Sequence, residues 1–198
     1  MERIASFCVD HTKLDRGMYL SRQDGDVLTW DIRMKKPNQG DYLTTGAAHT
    51  LEHLFATYAR NSAVKDGVIY VGPMGCRTGF YLLTRGLTPA QALELTVDSF
   101  RFMAAFEGDI PGASEVECGN YRDMDLPAAK AEAAAMLPVL EALTADQLHY
   151  SAIQQKTSPC RCCLHGEVFL RFRKALLQSA YSTMMLLPVI SAGTGRPI

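Results

Sequence analysis

Two hydrophobic periods run through residues 1–150, and their order is not the strict strand–helix–strand repeat of a parallel sheet. Leu28, Trp30, Ile32 and Met34 alternate with Val27, Thr29, Asp31 and Arg33, the two-residue period of a half-buried strand. From Thr45 to Ala63 the period changes. Ala48, Leu51, Phe55 and Tyr58 fall on one helical face, and Thr44 or Thr45 can cap it. Val68 to Val71 and Phe80 to Thr84 predict strands on either side of a Gly-Pro-Met-Gly-Cys bend. Thr88-Pro89 opens a helix to about Phe106, with proline at its first position. Leu126-Pro127 opens another, to about Leu137, where Pro138 disturbs it. The pattern predicts an α+β sandwich, an antiparallel sheet packed against helices.

A chain of 198 residues is long enough for one domain and an appendage. Its charge marks where the appendage begins. Residues 151–198 hold six Lys/Arg and one acid, a net of +5, which leaves −6 for residues 1–150. The expected division is therefore a catalytic domain at 1–150 and a basic, poorly structured extension at 151–198. A net charge of −1 gives no reason to expect a nucleic-acid partner. No apolar run approaches the ~18 residues that would predict a membrane span. The N-terminus, Met-Glu-Arg-Ile-Ala-Ser-Phe-Cys, does not read as a secretory signal. The expected place is the cytoplasm. There the six cysteines would be reduced, and are weighed as metal ligands or catalysts before disulfides.

The strongest chemical signal is His49-Thr50-Leu51-Glu52-His53. On a helix, residues four apart share a face, so both imidazoles can grip one metal ion. Glu52 projects beside them and can move protons near the metal. Two partly exposed histidines and a surface glutamate remain the plain alternative. A third ligand is needed, and Cys118, followed by Gly119, is the candidate; otherwise it is a small buried hydrophobe. Two histidines and one thiolate leave a coordination position open, as catalytic sites do. Cys76 lies in Gly72-Pro73-Met74-Gly75-Cys76-Arg77-Thr78-Gly79, beside Arg77 and backbone N–H groups that favour a thiolate, or is simply a turn cysteine. Cys160, Cys162, Cys163 and His165 are crowded but lack the paired spacing of a zinc site, and an unstructured tail accounts for them better.

Taken together, the ordered motifs resemble the LuxS family, the S-ribosylhomocysteine lyases. They are Ser6-Phe7, Asp10-His11, Asp31-Ile32-Arg33, Pro37-Asn38, His49-Thr50-Leu51-Glu52-His53-Leu54, Pro73-Met74-Gly75-Cys76, Thr78-Gly79-Phe80-Tyr81-Leu82 and Cys118-Gly119. The resemblance implies a LuxS-like metalloenzyme sandwich that forms a homodimer with two sites at its interface. It implies a ferrous ion, Fe(2+), on His49, His53 and Cys118, with zinc or cobalt able to substitute. It assigns proton transfer to Cys76 and Glu52, and substrate recognition to Ser6, His11 and Arg33. The implied reaction splits S-ribosylhomocysteine into homocysteine and dihydroxypentanedione, the precursor of autoinducer-2, within the activated methyl cycle. Gly72 stands where many members have serine, and Tyr70 where they have an acid. A metallopeptidase of the inverted His-x-x-Glu-His type is the alternative; such enzymes normally take a downstream glutamate as third ligand and are much larger.

Overall fold

The computed structural model describes residues 7–151, 154 and 155. The chain divides into two compact units, Met1–Ser158 and Pro159–Ile198, and every described residue lies in the first. Ser6, Cys160, Cys162, Cys163 and His165 lie outside the described residues, as does most of the expected extension.

Four strands form one antiparallel sheet: β1 (Gly17–Asp24), β2 (Val27–Arg33), β3 (Val68–Pro73) and β4 (Gly79–Arg85), in the order β1-β2-β4-β3. Three helices accompany it: α1 (Thr45–Asn61), α2 (Pro89–Ala105) and α3 (Leu126–Glu141). This is the α+β architecture that the periodicities predict. The alternation of β2 decides which side faces inward. Trp30 and Ile32, with Met18, Val71, Phe80 and Leu82, meet the helices in the main core. There Phe55 of α1 sits edge-on to Phe80 at 6.3 Å and to Phe100 at 5.7 Å. Burying each such side chain stabilises the fold by roughly 1.5–3 kcal/mol. The buried Trp30 Nε1 donates to Thr84 Oγ1 at 2.9 Å, so the indole carries no unpaired donor. Residues of the opposite parity are turned away from the helices. Tyr19 belongs to a second, smaller core with Val9, Leu14 and Tyr150.

Helix starts follow the sequence. Thr44 caps α1 by accepting from Ala47 N, and Thr88 forms a capping box with Gln91 ahead of Pro89. Two expectations change. β1 has no counterpart among the expected strands; it pairs with β2 across the tight Gly25-Asp26 turn, where Gly25 takes φ +61°. Pro138 does not end α3, which continues to Glu141. A proline near a helix end removes one late hydrogen bond, and here Arg16 Nη2 donates to the nearby Ala135 carbonyl at 2.5 Å.

The first unit also runs past Tyr150. The amide of Asp10 donates to the Gln154 carbonyl at 2.7 Å, and Val9 pairs with Gln155 in an antiparallel bridge. No helix among the described residues is long and apolar enough to cross a membrane.

Candidate metal centre and thiol site

Helix α1 buries Ala47, Ala48, Leu51, Leu54, Phe55 and Ala59 and leaves His49, Glu52 and His53 half-buried. The two imidazoles pack edge to face at 4.9 Å. Each is anchored through the same ring atom. His49 Nδ1 donates to the Asp123 carbonyl at 2.8 Å, and His53 Nδ1 donates to the Pro111 carbonyl at 2.8 Å. A nitrogen that faces a carbonyl must carry a proton, so in the neutral ring Nε2 is the atom with a lone pair for another partner. Cys118, half-buried, brings Sγ to 3.3 Å from His49 Nε2. Its own amide donates to the Ser114 carbonyl at 2.9 Å, and the Asn120 amide reaches its sulfur at 3.5 Å.

Ligand atoms of His49, His53 and Cys118 all lie within 4.8 Å of one another. A tetrahedral ion with bonds of about 2.0 Å to nitrogen and 2.3 Å to sulfur spaces its ligand atoms by roughly 3.5 Å. The cluster therefore fits a metal ion after a small closure, and three protein ligands leave one position open. Gly112 makes room for the His53 ring. Its φ is +72°, and a Cβ there would lie 3.2 Å from His53 Nδ1. Glu52, on the same face, has no hydrogen bond or ion pair among the described residues.

Cys76 is exposed in the turn between β3 and β4. Met74 N donates to the Gly79 carbonyl and Arg77 N to the Met74 carbonyl, at 2.9 and 2.8 Å. The left-handed residue in this turn is Arg77, φ +59°, and not one of the glycines that mark it in sequence. Thr78 then places Oγ1 3.0 Å from Cys76 Sγ. Arg33, 2% exposed, donates through Nη1 to Thr78 Oγ1 and comes within 3.9 Å of Cys76 Sγ. Thus Arg33 and Cys76 meet within one chain. Nη2 of Arg33 donates to Asp31 Oδ2 at 2.6 Å, and the Tyr150 hydroxyl donates to the same oxygen at 2.8 Å. Burial pulls the Arg33 pKa down, but the charge and hydrogen bond of Asp31 more than offset this, and the net shift is upward. Burial, and then the neighbouring Asp31 charge, push the Tyr150 phenol well above its ordinary value. It stays a donor at any ordinary pH. Sequence reasoning missed Asp31 and Tyr150 as part of this site.

His11 is half-buried, with Nδ1 donating to the Val9 carbonyl at 3.1 Å. Tyr70, half-exposed, lies over Gly72: an added Cβ at residue 72 would collide with its phenol.

The S-ribosylhomocysteinase (LuxS) family model matches residues 4–146 of this chain. The chain belongs to the LuxS family. Three relatives, each named S-ribosylhomocysteine lyase, show how far the likeness runs. The protein of Phocaeicola vulgatus is 52% identical over 157 residues, covering 76% of this chain and 98% of the relative. That of Clostridium acetobutylicum is 44% identical over 156 residues, covering 76% and 99%. That of Borrelia garinii subsp. bavariensis is 44% identical over 156 residues, covering 76% and 99%. This LuxS chain thus spans nearly the full length of those relatives and has a further C-terminal region.

Proposed function

We infer that the chain is an S-ribosylhomocysteine lyase, a carbon–sulfur lyase that releases homocysteine and dihydroxypentanedione, the autoinducer-2 precursor of quorum sensing, within the activated methyl cycle. The observation that carries this is the convergence of His49, His53 and Cys118, each histidine anchored through Nδ1 to a backbone carbonyl, in a chain 44–52% identical to proteins of that name. Neither the relatives nor the cluster favours the metallopeptidase. The third group in the cluster is Cys118 and not a glutamate.

The chemistry asks for what these residues offer. The sugar carbonyl starts at C1, and the thioether sits on C5. The carbonyl must move to C2 and then C3 before elimination can break the C5–S bond. Each shift takes a proton from one carbon and returns one to its neighbour. A metal held by His49, His53 and Cys118 supplies a Lewis acid for the sugar oxygens as negative charge develops there. We assign the protons to two groups. Glu52 stands beside the cluster with an unengaged carboxylate, able to take and return a proton. Cys76 presents its sulfur at the surface with Thr78 and Arg33 behind it. Loss of the α proton at C4 then expels homocysteine thiolate from C5. Ser6, His11 and Arg33 are proposed to hold the substrate. His11 keeps Nε2 for a sugar hydroxyl, and Arg33 acts from beneath Cys76.

A ferrous ion, a homodimer and a cytoplasmic setting complete the proposal. The donor set suits iron, zinc or cobalt alike; the resemblance selects iron. Exposed Phe7, Tyr70 and Val116 offer apolar surface to a second copy. The test is direct. Metal-loaded protein is mixed with S-ribosylhomocysteine, and released homocysteine is trapped by a thiol reagent. Thiol release that stops on metal removal is expected. Folded, metal-loaded protein that releases none would refute the lyase reading.

A further inference from the structure

The Asp31–Arg33 pair is buried, with side chains 3% exposed on both sides, yet it is incompletely bonded. Asp31 Oδ2 takes two donors, Arg33 Nη2 and the Tyr150 hydroxyl. Asp31 Oδ1 and Arg33 Nε have no hydrogen-bond partner among the described residues. These two atoms define a second arrangement. If the carboxylate turned, Oδ1 could meet Nε while Oδ2 kept an Nη, a bidentate side-on pair that satisfies both. An unpartnered buried polar atom is costly, so something must favour the observed arrangement. The Tyr150 hydroxyl does so by fixing the rotation of the carboxylate. The ring that carries it is itself held by stacking on Tyr19, with centroids 4.9 Å apart and planes 16° apart.

We infer that Tyr150 and Asp31 are positioning residues for the thiol: Tyr150 fixes the Asp31 carboxylate, and the carboxylate holds Nη2 of Arg33 so that Nη1 stays on Thr78 beside Cys76. This rests on the assignment of Cys76 to the lyase reaction. It gives a function to a residue 119 positions away from Asp31 in sequence, at the far end of the first unit. The groups that bear on Cys76 are Arg33 of β2, with Asp31 behind it, and Tyr81 of β4. Of these, Arg33 is the cation tied down by two partners, so its position is the one that Tyr150 controls.

Charge-selective alkylation of Cys76 reads that position. Iodoacetate is an anion and iodoacetamide is neutral; both form the same S–C bond and release iodide. A guanidinium beside the sulfur raises the iodoacetate rate relative to the iodoacetamide rate. Both rates are followed on the Cys76 peptide by mass spectrometry, in the metal-loaded full chain without substrate. Arg33→Gln sets the floor for the ratio. Tyr150→Phe keeps the ring and its stacking and removes only the hydroxyl. It should lower the ratio toward that floor, by roughly five-fold or more. A variant that merely loosened the sheet would raise both rates and leave their ratio alone. Circular dichroism and metal content check the fold. A folded Tyr150→Phe protein with the wild-type ratio would overturn the positioning role, as would an Arg33→Gln protein with that ratio. Because no substrate is present, absent lyase activity would count against the reaction and an unmoved ratio against the positioning.

Discussion

Replacing Gly112 with alanine separates the cost of backbone strain from the cost of a disturbed metal ligand. The backbone at Gly112 is left-handed, φ +72°, and the new Cβ would lie 3.2 Å from His53 Nδ1 and 3.4 Å from Cε1. Holding alanine in that conformation costs roughly 1–2 kcal/mol, with or without metal. The contact falls on the ring atom that donates to the Pro111 carbonyl at 2.8 Å. The ring relieves it only by backing away, which stretches that bond and swings Nε2 off the point where the ligands converge. Losing such an outer hydrogen bond typically weakens metal binding about 10–100-fold, or roughly 1.4–2.8 kcal/mol. Two readouts are therefore needed. Thermal melting of the metal-free protein reports the strain. Competition against a chromogenic chelator reports the affinity. Gly112→Ala should lower the Tm of the metal-free form and also weaken metal binding by about ten-fold or more. A lowered Tm with unchanged affinity would show that residue 112 does not act on His53 and would refute the argument.

Thr50→Val tests the strut beneath His49. Thr50 Oγ1 accepts from the Asp125 amide and donates to the Gly46 carbonyl, both at 2.8 Å, and the residue is 0% exposed. Losing it should cost about 1–3 kcal/mol, nearer the low end because the Asp125 amide keeps a 3.3 Å bond to Gly46; a melt matching wild type would refute this. Alkaline pH gives another test. The Tyr150 phenol is raised above its ordinary value of 10.0 in the fold, so its share of stability is intact below about pH 10 and lost above it, where the unfolded chain ionises first. The urea midpoint should fall on the alkaline side, and less steeply in Tyr150→Phe. Tyr19 and Tyr81, also raised, keep part of the fall. Parallel alkaline limbs in the two proteins would remove Tyr150 from the effect.

The elements that local chemistry dictates were legible in the sequence. The alternation in Leu28–Met34 is β2, the Thr44 cap begins α1, and Thr88-Pro89 begins α2. β1 was harder to see because its second half, Arg22 to Asp24, is exposed and polar. The signal available was Asp24-Gly25 just ahead of a strong strand, a hairpin turn that requires a partner. Pro138 misled because a proline removes one amide wherever it falls, but near the end of a helix that amide matters least. For the candidate site, the three clustered side chains were readable from His49, His53 and Cys118. Their anchors were not, since the carbonyls of Pro111 and Asp123 are backbone atoms that any residue supplies. Nor did Asp31 and Arg33, two apart on one strand face, reveal that a tyrosine far along the chain would bury them.

Closing the sheet's outer side with Tyr150 also sets an order of events during synthesis. Asp31 and Tyr150 are separated by 119 residues, which at roughly 5–20 residues per second is about 6–24 s of translation. The β1–β2 hairpin and α1 are local, and contacts of that kind are sampled in microseconds, well within that interval. A nascent chain therefore presents the His49–His53 pair to cellular metal before Cys118 has been made. It also carries the Cys76 thiol, with Thr78 in place, for a further 74 residues before the hydroxyl that fixes its arginine arrives. The metal-binding face and the thiol face of this protein mature at different times, and the thiol face is the later of the two.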